Sequence, residues 1–181
     1  MKIICPNLKN KEVAREFEEL KNATSEAAAY HIWSQNNGNG IDKAPNGEPS
    51  KLFSDLLEHY NGDRVAAIQA KARTYSKSFK EWFGDWQSED KTNVSKVVDE
   101  NSEPLLVWHG TTENFDAFSK SWRGATDPGD WGLGFYFSPK KSSSEMYGNI
   151  LMPVFLSIKN PVPNEKFKMI NAFGREKAKP I

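Results

Sequence analysis

Residues 10–34, NKEVAREFEELKNATSEAAAYHIWS, carry apolar side chains at helical spacing: Val13, Phe17 and Leu20, then Ala28, Ile32 and Trp33. Capping residues between Asn22 and Ser25 interrupt the pattern, which predicts two helices. The next stretch, QNNGNGIDKAPNGEPS, holds four asparagines, three glycines and two prolines and reads as a loop or linker. From Ser50, a natural N-cap, Leu52, Phe53, Leu56 and Leu57 mark one face of a further helix. Asn61-Gly62 makes a turn and Asp63 a second cap. Val65, Ile68, Ala72 and Tyr75 then recur at helical intervals. Residues 1–86 therefore read as a helical region, in which Trp82, Phe83 and Trp86 of WFGDW are expected to pack the last helix onto a sheet.

The period then changes. KVVDENSEPLLVWHG contains two short apolar runs around a polar turn and predicts a β-hairpin; GFYFS and MPVFLSIKNPV predict two more strands. Asn160-Pro161 and Pro163 end the last of these, because proline cannot donate to a sheet ladder. The tail from Asn164 is polar and basic with room for one short helix, and no internal repeat is present. Helices first and strands second predict an α+β chain, with the second unit spanning 94–181.

Composition narrows the function classes. Hydrophobic residues make up 38% and charged residues 27%, with 24 basic and 24 acidic side chains that cancel. No global charge favours nucleic acid or a membrane surface. The one cysteine, Cys5, excludes an internal disulfide framework, and His31, His59 and His109 are spaced too widely for a zinc motif. The N-terminus lacks the features of a secretory signal and no apolar run reaches membrane-spanning length, so the expected compartment is the cytoplasm. Aromatics, at 12% with six tryptophans, point to packed or ligand-stacking surfaces.

Three clusters could carry chemistry. In LLVWHGTT a strand runs into His109, Gly110 and Thr111, which sets an imidazole beside exposed backbone donors and acceptors. Taken alone, His-Gly reads better as a histidine packed beside a turn. In WGLGFYFS, Gly132 and Gly134 permit a tight bend, and alternation sends Phe135 and Phe137 to one face and Tyr136 to the other. In SSSEMYG, Ser144 and Tyr147 lie one helical turn apart. The segment KSWRGATDPGDWG between the first two reads as a loop over a cleft, with Arg123 and Asp127 as weak candidates for contact with a substrate.

In this order and spacing the clusters resemble the ADP-ribosyltransferase superfamily, in its His–Tyr–Glu branch with diphtheria toxin and the poly(ADP-ribose) polymerases. SFKEWFGDW, SKVVDENSEPLLVWHGTTENFDAF, GLGFYFSPKKSSSEMYG and VFLSIKNPV look like the transferase-like domain of large polyvalent proteins of phages and mobile elements. APNGEPSKLFSDLLEHYNGD looks like the helical segment that often precedes it. The resemblance implies an N-terminal helical region followed by a split β-sheet of the transferase type. It implies NAD as substrate, the nicotinamide between Tyr136 and Tyr147, its carboxamide on Ser144 and the Gly110 backbone, and Thr111 in the same site. His109 would bond the adenosine ribose. It also implies transfer of ADP-ribose to a host protein or nucleic acid.

The family's third motif, a catalytic glutamate on a late strand, has no convincing counterpart. Glu165 follows the strand-ending prolines too soon, Glu176 sits in the basic tail, and Glu145 is expected to point away from Ser144 and Tyr147. The sheet is thus expected to be incomplete and the domain truncated, with the catalytic residue unassigned, no metal, no membrane contact, and a second chain as one source of the missing half. Two other readings compete: a non-catalytic interaction module on a degenerate transferase fold, and a compact nuclease using His109 with Arg123 or lysines.

Overall fold

The computed structural model describes residues 11–115, 117–119 and 134–162. Cys5, Arg123, Asp127, Gly132, Pro163, Glu165, Glu176 and the predicted tail helix lie outside them. The described chain is α+β, with six helices and a two-stranded antiparallel sheet. In order these are α1 (Lys11–Lys21), α2 (Ser25–Gln35), α3 (Lys51–His59), α4 (Arg64–Thr74), α5 (Lys77–Phe83), β1 (Val107–Thr111), α6 (Lys141–Glu145) and β2 (Ile150–Val154).

The helix starts follow from local chemistry. Thr24, Ser50, Asp63 and Ser76 each sit in extended backbone and accept the N–H three residues on, from Ala27, Phe53, Ala66 and Phe79. Each bond satisfies one of the donors a helix leaves orphaned at its first turn. Glu16 of α1 reaches across to α5, where its carboxylate accepts the N–H groups of Lys77 at 2.9 Å and Ser78 at 3.0 Å. That bond docks α1 against the positive end of α5.

Helix α4 is the centre of the helical part: α1, α2 and α3 all pack on it, and Ala67, Ile68, Ala70, Ala72 and Thr74 are buried. The predicted apolar face holds for Ile68, Ala72 and Tyr75 but not for Val65, which is exposed in the first turn. On α2, Ala28 and Ile32 face the core, whereas Trp33, one position further round, is exposed and stacks on Tyr30 at 5.8 Å.

The 36–50 stretch, expected as a loop or linker, is a packed loop. Asn36 is fully buried, donates to Lys43 O at 3.0 Å and accepts the Tyr75 hydroxyl at 3.1 Å. Composition marked it as non-helical; its fixed shape comes from partners on other elements. Chief among them is Lys71 of α4, a fully buried lysine that donates to Ile41 O, Lys43 O and Ser50 Oγ and lies 3.1 Å from the equally buried Glu103. Ser50 Oγ also bonds the other Glu103 oxygen at 2.6 Å. Burial pulls the Lys71 ammonium down from its ordinary pKa and pushes the Glu103 carboxyl up, each opposed by the charge of the other.

The predicted 96–110 hairpin is only partly formed. Its turn is present, with Asp99 N–H donating to Glu103 O and Leu105 N–H to Val97 O, but pairing is confined to a single Val98–Pro104 bridge. Lys96 N–H donates to Ile158 O instead of continuing the pairing. β1 instead pairs with β2, in the register Val107–Val154 to Thr111–Ile150. GFYFS does not form a strand either: only Ser138 makes a bridge, to Trp108.

One core runs through both parts of the chain. Ile32, Leu56, Tyr75, Phe79, Phe83 and Trp86 belong to the same buried cluster as Leu106, Trp108 and Phe155. Of WFGDW, Phe83 and Trp86 are buried, Trp86 meeting Tyr75 edge-on at 5.0 Å, while Phe79 meets Phe155 edge-on at 5.3 Å just beyond β2. Ser157 Oγ donates to Trp82 O at 2.8 Å, tying the end of α5 to the chain after β2.

Candidate functional site

The cleft arises where a ladder opens. Trp108 N–H and C=O both pair with Ser138, at 2.8 and 3.0 Å. On the other side Trp108 lies opposite Pro153, which needs no N–H partner there. Backbone groups of a strand point to the same edge every second residue. The N–H and C=O of Gly110 therefore face the Ser138 edge, away from β2. Continuing the bridge would pair Gly110 with Tyr136, but that pair is not formed. The Tyr136 carbonyl accepts from His109 Nδ1 at 2.9 Å instead. A side-chain donor has replaced a backbone donor, and the two segments splay.

Since a carbonyl only accepts, the bond to Tyr136 places the His109 proton on Nδ1 and leaves Nε2 as an acceptor. The imidazole is held by aromatic rings: Phe118 edge-on at 5.1 Å, Phe137 at 5.5 Å and Phe115 at 6.0 Å. Phe135 and Phe137 both pack on Phe118, at 4.9 and 5.4 Å. The predicted alternation of 135–137 thus persists without a strand, and Tyr136 stands exposed on the other side.

Helix α6 closes the second wall. Ser144 is buried and its hydroxyl donates to Trp108 O at 2.9 Å, which commits its proton and leaves its lone pairs to accept. Tyr147 lies one turn on, just past the helix, with its N–H on Ser144 O at 3.1 Å and its ring half exposed. The Trp108 indole lies 5.5 Å from the His59 ring of α3, and the Lys141 ammonium of α6 is 5.4 Å from its ring centre. Partial burial, and then the Lys141 charge, hold the His59 imidazole below its ordinary pKa. The helical part thereby braces the strand that carries His109.

Glycines set the approach of α6 to β1. A Cβ on Gly110 would lie 1.8 Å from Ser144 O, and one on Gly148 would lie 2.2 Å from the Thr111 carbonyl. Gly134 is different: a Cβ there meets no atom of the described residues within 4 Å. Gly134→Ala is accordingly expected to leave stability unchanged or raise it by up to about 1 kcal/mol, read from thermal or urea unfolding. A loss of more than about 1 kcal/mol would contradict the open surroundings of that residue.

The result is one open cleft of about 1080 Å³, just above the usual range for sites of drug-sized ligands. His109, Gly110, Thr111, Tyr136, Ser144 and Tyr147, the six residues singled out from the sequence, all line it. Residues not anticipated there include Glu113, Asn114, Phe115 and Phe118. Their nearness in sequence to His109 was the available signal. Glu145 is exposed and does not line the cleft, as expected. Among the described residues no cluster of histidine, cysteine and carboxylates could hold a metal, and no helix is long and apolar enough to cross a membrane.

Comparison with curated proteins and with solved structures finds no match. Comparison with protein families does: residues 99–179, just under half of the chain, match the family described as ADP-ribosyltransferase in polyvalent proteins. That stretch begins in the turn that leads into β1 and contains all six of the cleft residues singled out from the sequence. The chain thus carries, over residues 99–179, an ADP-ribosyltransferase-like domain.

Proposed function

We propose that the cleft binds the nicotinamide half of NAD and that the domain, of phage or mobile-element origin, serves ADP-ribose transfer to a macromolecule of the host cytoplasm. The observation that carries this reading is the convergence of His109, Gly110, Thr111, Tyr136, Ser144 and Tyr147 on one cleft. Their chemistry suits the ligand. A carboxamide offers two donors and an acceptor. Gly110 presents a C=O and an N–H toward the open edge, and Ser144 Oγ presents lone pairs. Tyr136 and Tyr147 supply electron-rich faces for a cationic ring. His109 Nε2 is ready to accept from a ribose hydroxyl.

The reaction breaks the bond between ribose C1′ and the pyridinium nitrogen, and the electron pair leaves on neutral nicotinamide. C1′ then bonds an acceptor nucleophile, which loses a proton. The positive charge that develops on the ribose calls for a facing carboxylate. Glu145 stands outside the cleft and Glu113 is the one described carboxylate residue that lines it, so a second reading, a non-catalytic interaction module, holds unless Glu113, Glu165, Glu176 or a second chain supplies that group.

Saturation-transfer NMR with NAD tests the binding step. The expected result is transfer to the nicotinamide protons, with affinity about 2- to 10-fold lower in Tyr147→Ala, the effect of removing one stacking face. Tyr147 is half exposed, so its truncation leaves the core intact. Absence of signal in both proteins would reject NAD and favour the interaction module.

A further inference from the structure

Among the described residues, the charge lining the cleft is one-sided. Among the described residues that line it there is no lysine or arginine, and Glu113 is the single carboxylate. Glu113 follows β1 by two residues. Its position is set by a reciprocal turn: its N–H donates to Thr111 Oγ1 at 3.1 Å, and that hydroxyl donates to its C=O at 3.3 Å. The turn hangs directly from the strand that carries His109 and Gly110, so the Glu113 backbone is held by the same element as the binding groups, and the residue lines the cleft. Tyr136 and Tyr147, on the other segments lining the cleft, add ring faces whose quadrupoles attract positive charge.

From this geometry we infer that Glu113 makes the cleft selective for a positively charged nicotinamide ring. The ligand class is the N-alkylated pyridinium of oxidised NAD, taken in preference to the neutral dihydropyridine of its reduced form. The inference rests on the proposed binding of nicotinamide and adds to it a residue and a criterion for selection. It also bears on turnover. Once the C1′–N bond has broken, the ring is neutral and no longer attracted by the carboxylate, so the product is held less tightly than the substrate.

The test uses two small probes that differ by one methyl group and one charge, 1-methylnicotinamide and nicotinamide, titrated by NMR into the full chain. The expected result is tighter binding of the cation. The ratio of the two Kd values should fall about 2- to 5-fold in Glu113→Gln, the range of one exposed ion pair, and should recover in Glu113→Asp. It should also shrink on going from low to high salt, because the partners are open to solvent. Equal affinity for the two probes, or a ratio unchanged in Glu113→Gln, would overturn the role of Glu113 while leaving nicotinamide binding in place. Silence of both probes and of NAD would overturn the binding reading and this inference with it.

Discussion

Gly110→Ala is expected to push α6 off β1 and to dismantle the cleft. The new Cβ would sit 1.8 Å from the Ser144 carbonyl oxygen and 2.9 Å from its carbon, with Tyr147 Cβ at 3.2 Å. The first two obstacles are backbone, so no change of rotamer relieves them. Helix α6 has five residues and lacks a side-chain cap, so it has little internal stability with which to resist. The expected loss of stability is about 1–3 kcal/mol, as for other overpacked contacts. The effect on ligand should be larger than that of Tyr147→Ala, because Ser144 and Tyr147 move together and the bond from Ser144 Oγ to Trp108 O is broken. Urea unfolding and backbone amide shifts of Trp108, Ser144 and Tyr147 measure the two effects. Unchanged shifts at those positions would mean that α6 and β1 do not meet as described.

Lys71→Met should unsettle the whole molecule. The substitution keeps the length of the side chain and removes its charge. Glu103 would then be left without its cation at a place closed to water, the Ile41 carbonyl would lose its Lys71 donor, and the Lys43 carbonyl would keep only the bond from Asn36. Breaking one side of a buried pair typically costs about 3–5 kcal/mol, most of it the penalty of the abandoned partner. That is a large share of the stability of an ordinary domain. Lys71→Met/Glu103→Leu should recover part of the loss, since the orphaned carboxyl is gone while the Ile41 carbonyl still lacks its Lys71 donor. The measurement is denaturant unfolding of the two single variants and the double. A loss below about 1 kcal/mol in Lys71→Met would show that the pair is not buried in solution. The pair has a functional consequence. It fastens α4 and the 36–50 loop to the turn at 99–103, from which the chain enters β1 and the cleft. The same variant should therefore weaken NAD binding, although Lys71 lies outside the cleft lining.

Several features were legible because their causes are local. Thr24, Ser50 and Asp63 start helices through bonds to residues three positions away, so a short window of sequence contains the whole interaction. The six cleft residues could be named because their order and spacing follow a family pattern, and the cleft needs only that the three segments meet. Other features depend on partners far along the chain. GFYFS has the composition of a strand, yet its ladder stops at Ser138 because the Tyr136 carbonyl is taken by an imidazole from residue 109. Val65 has helical spacing, but that spacing does not say which turn of α4 remains covered.

By itself, then, the sequence determined the helix caps, the α+β order, and, through its resemblance to a family pattern, six residues that line the cleft. The first two rest on short-range periodicity and residue chemistry, the third on the order and spacing of motifs. The tertiary structure alone decided where the ladder opens into a cleft, that Glu113 stands in it, and that Lys71 and Glu103 are buried together. A lysine on a helix and a glutamate in a polar turn, 32 residues apart, each read as surface groups. Only the folded core, which removes water from both, turns them into a pair that must stay together.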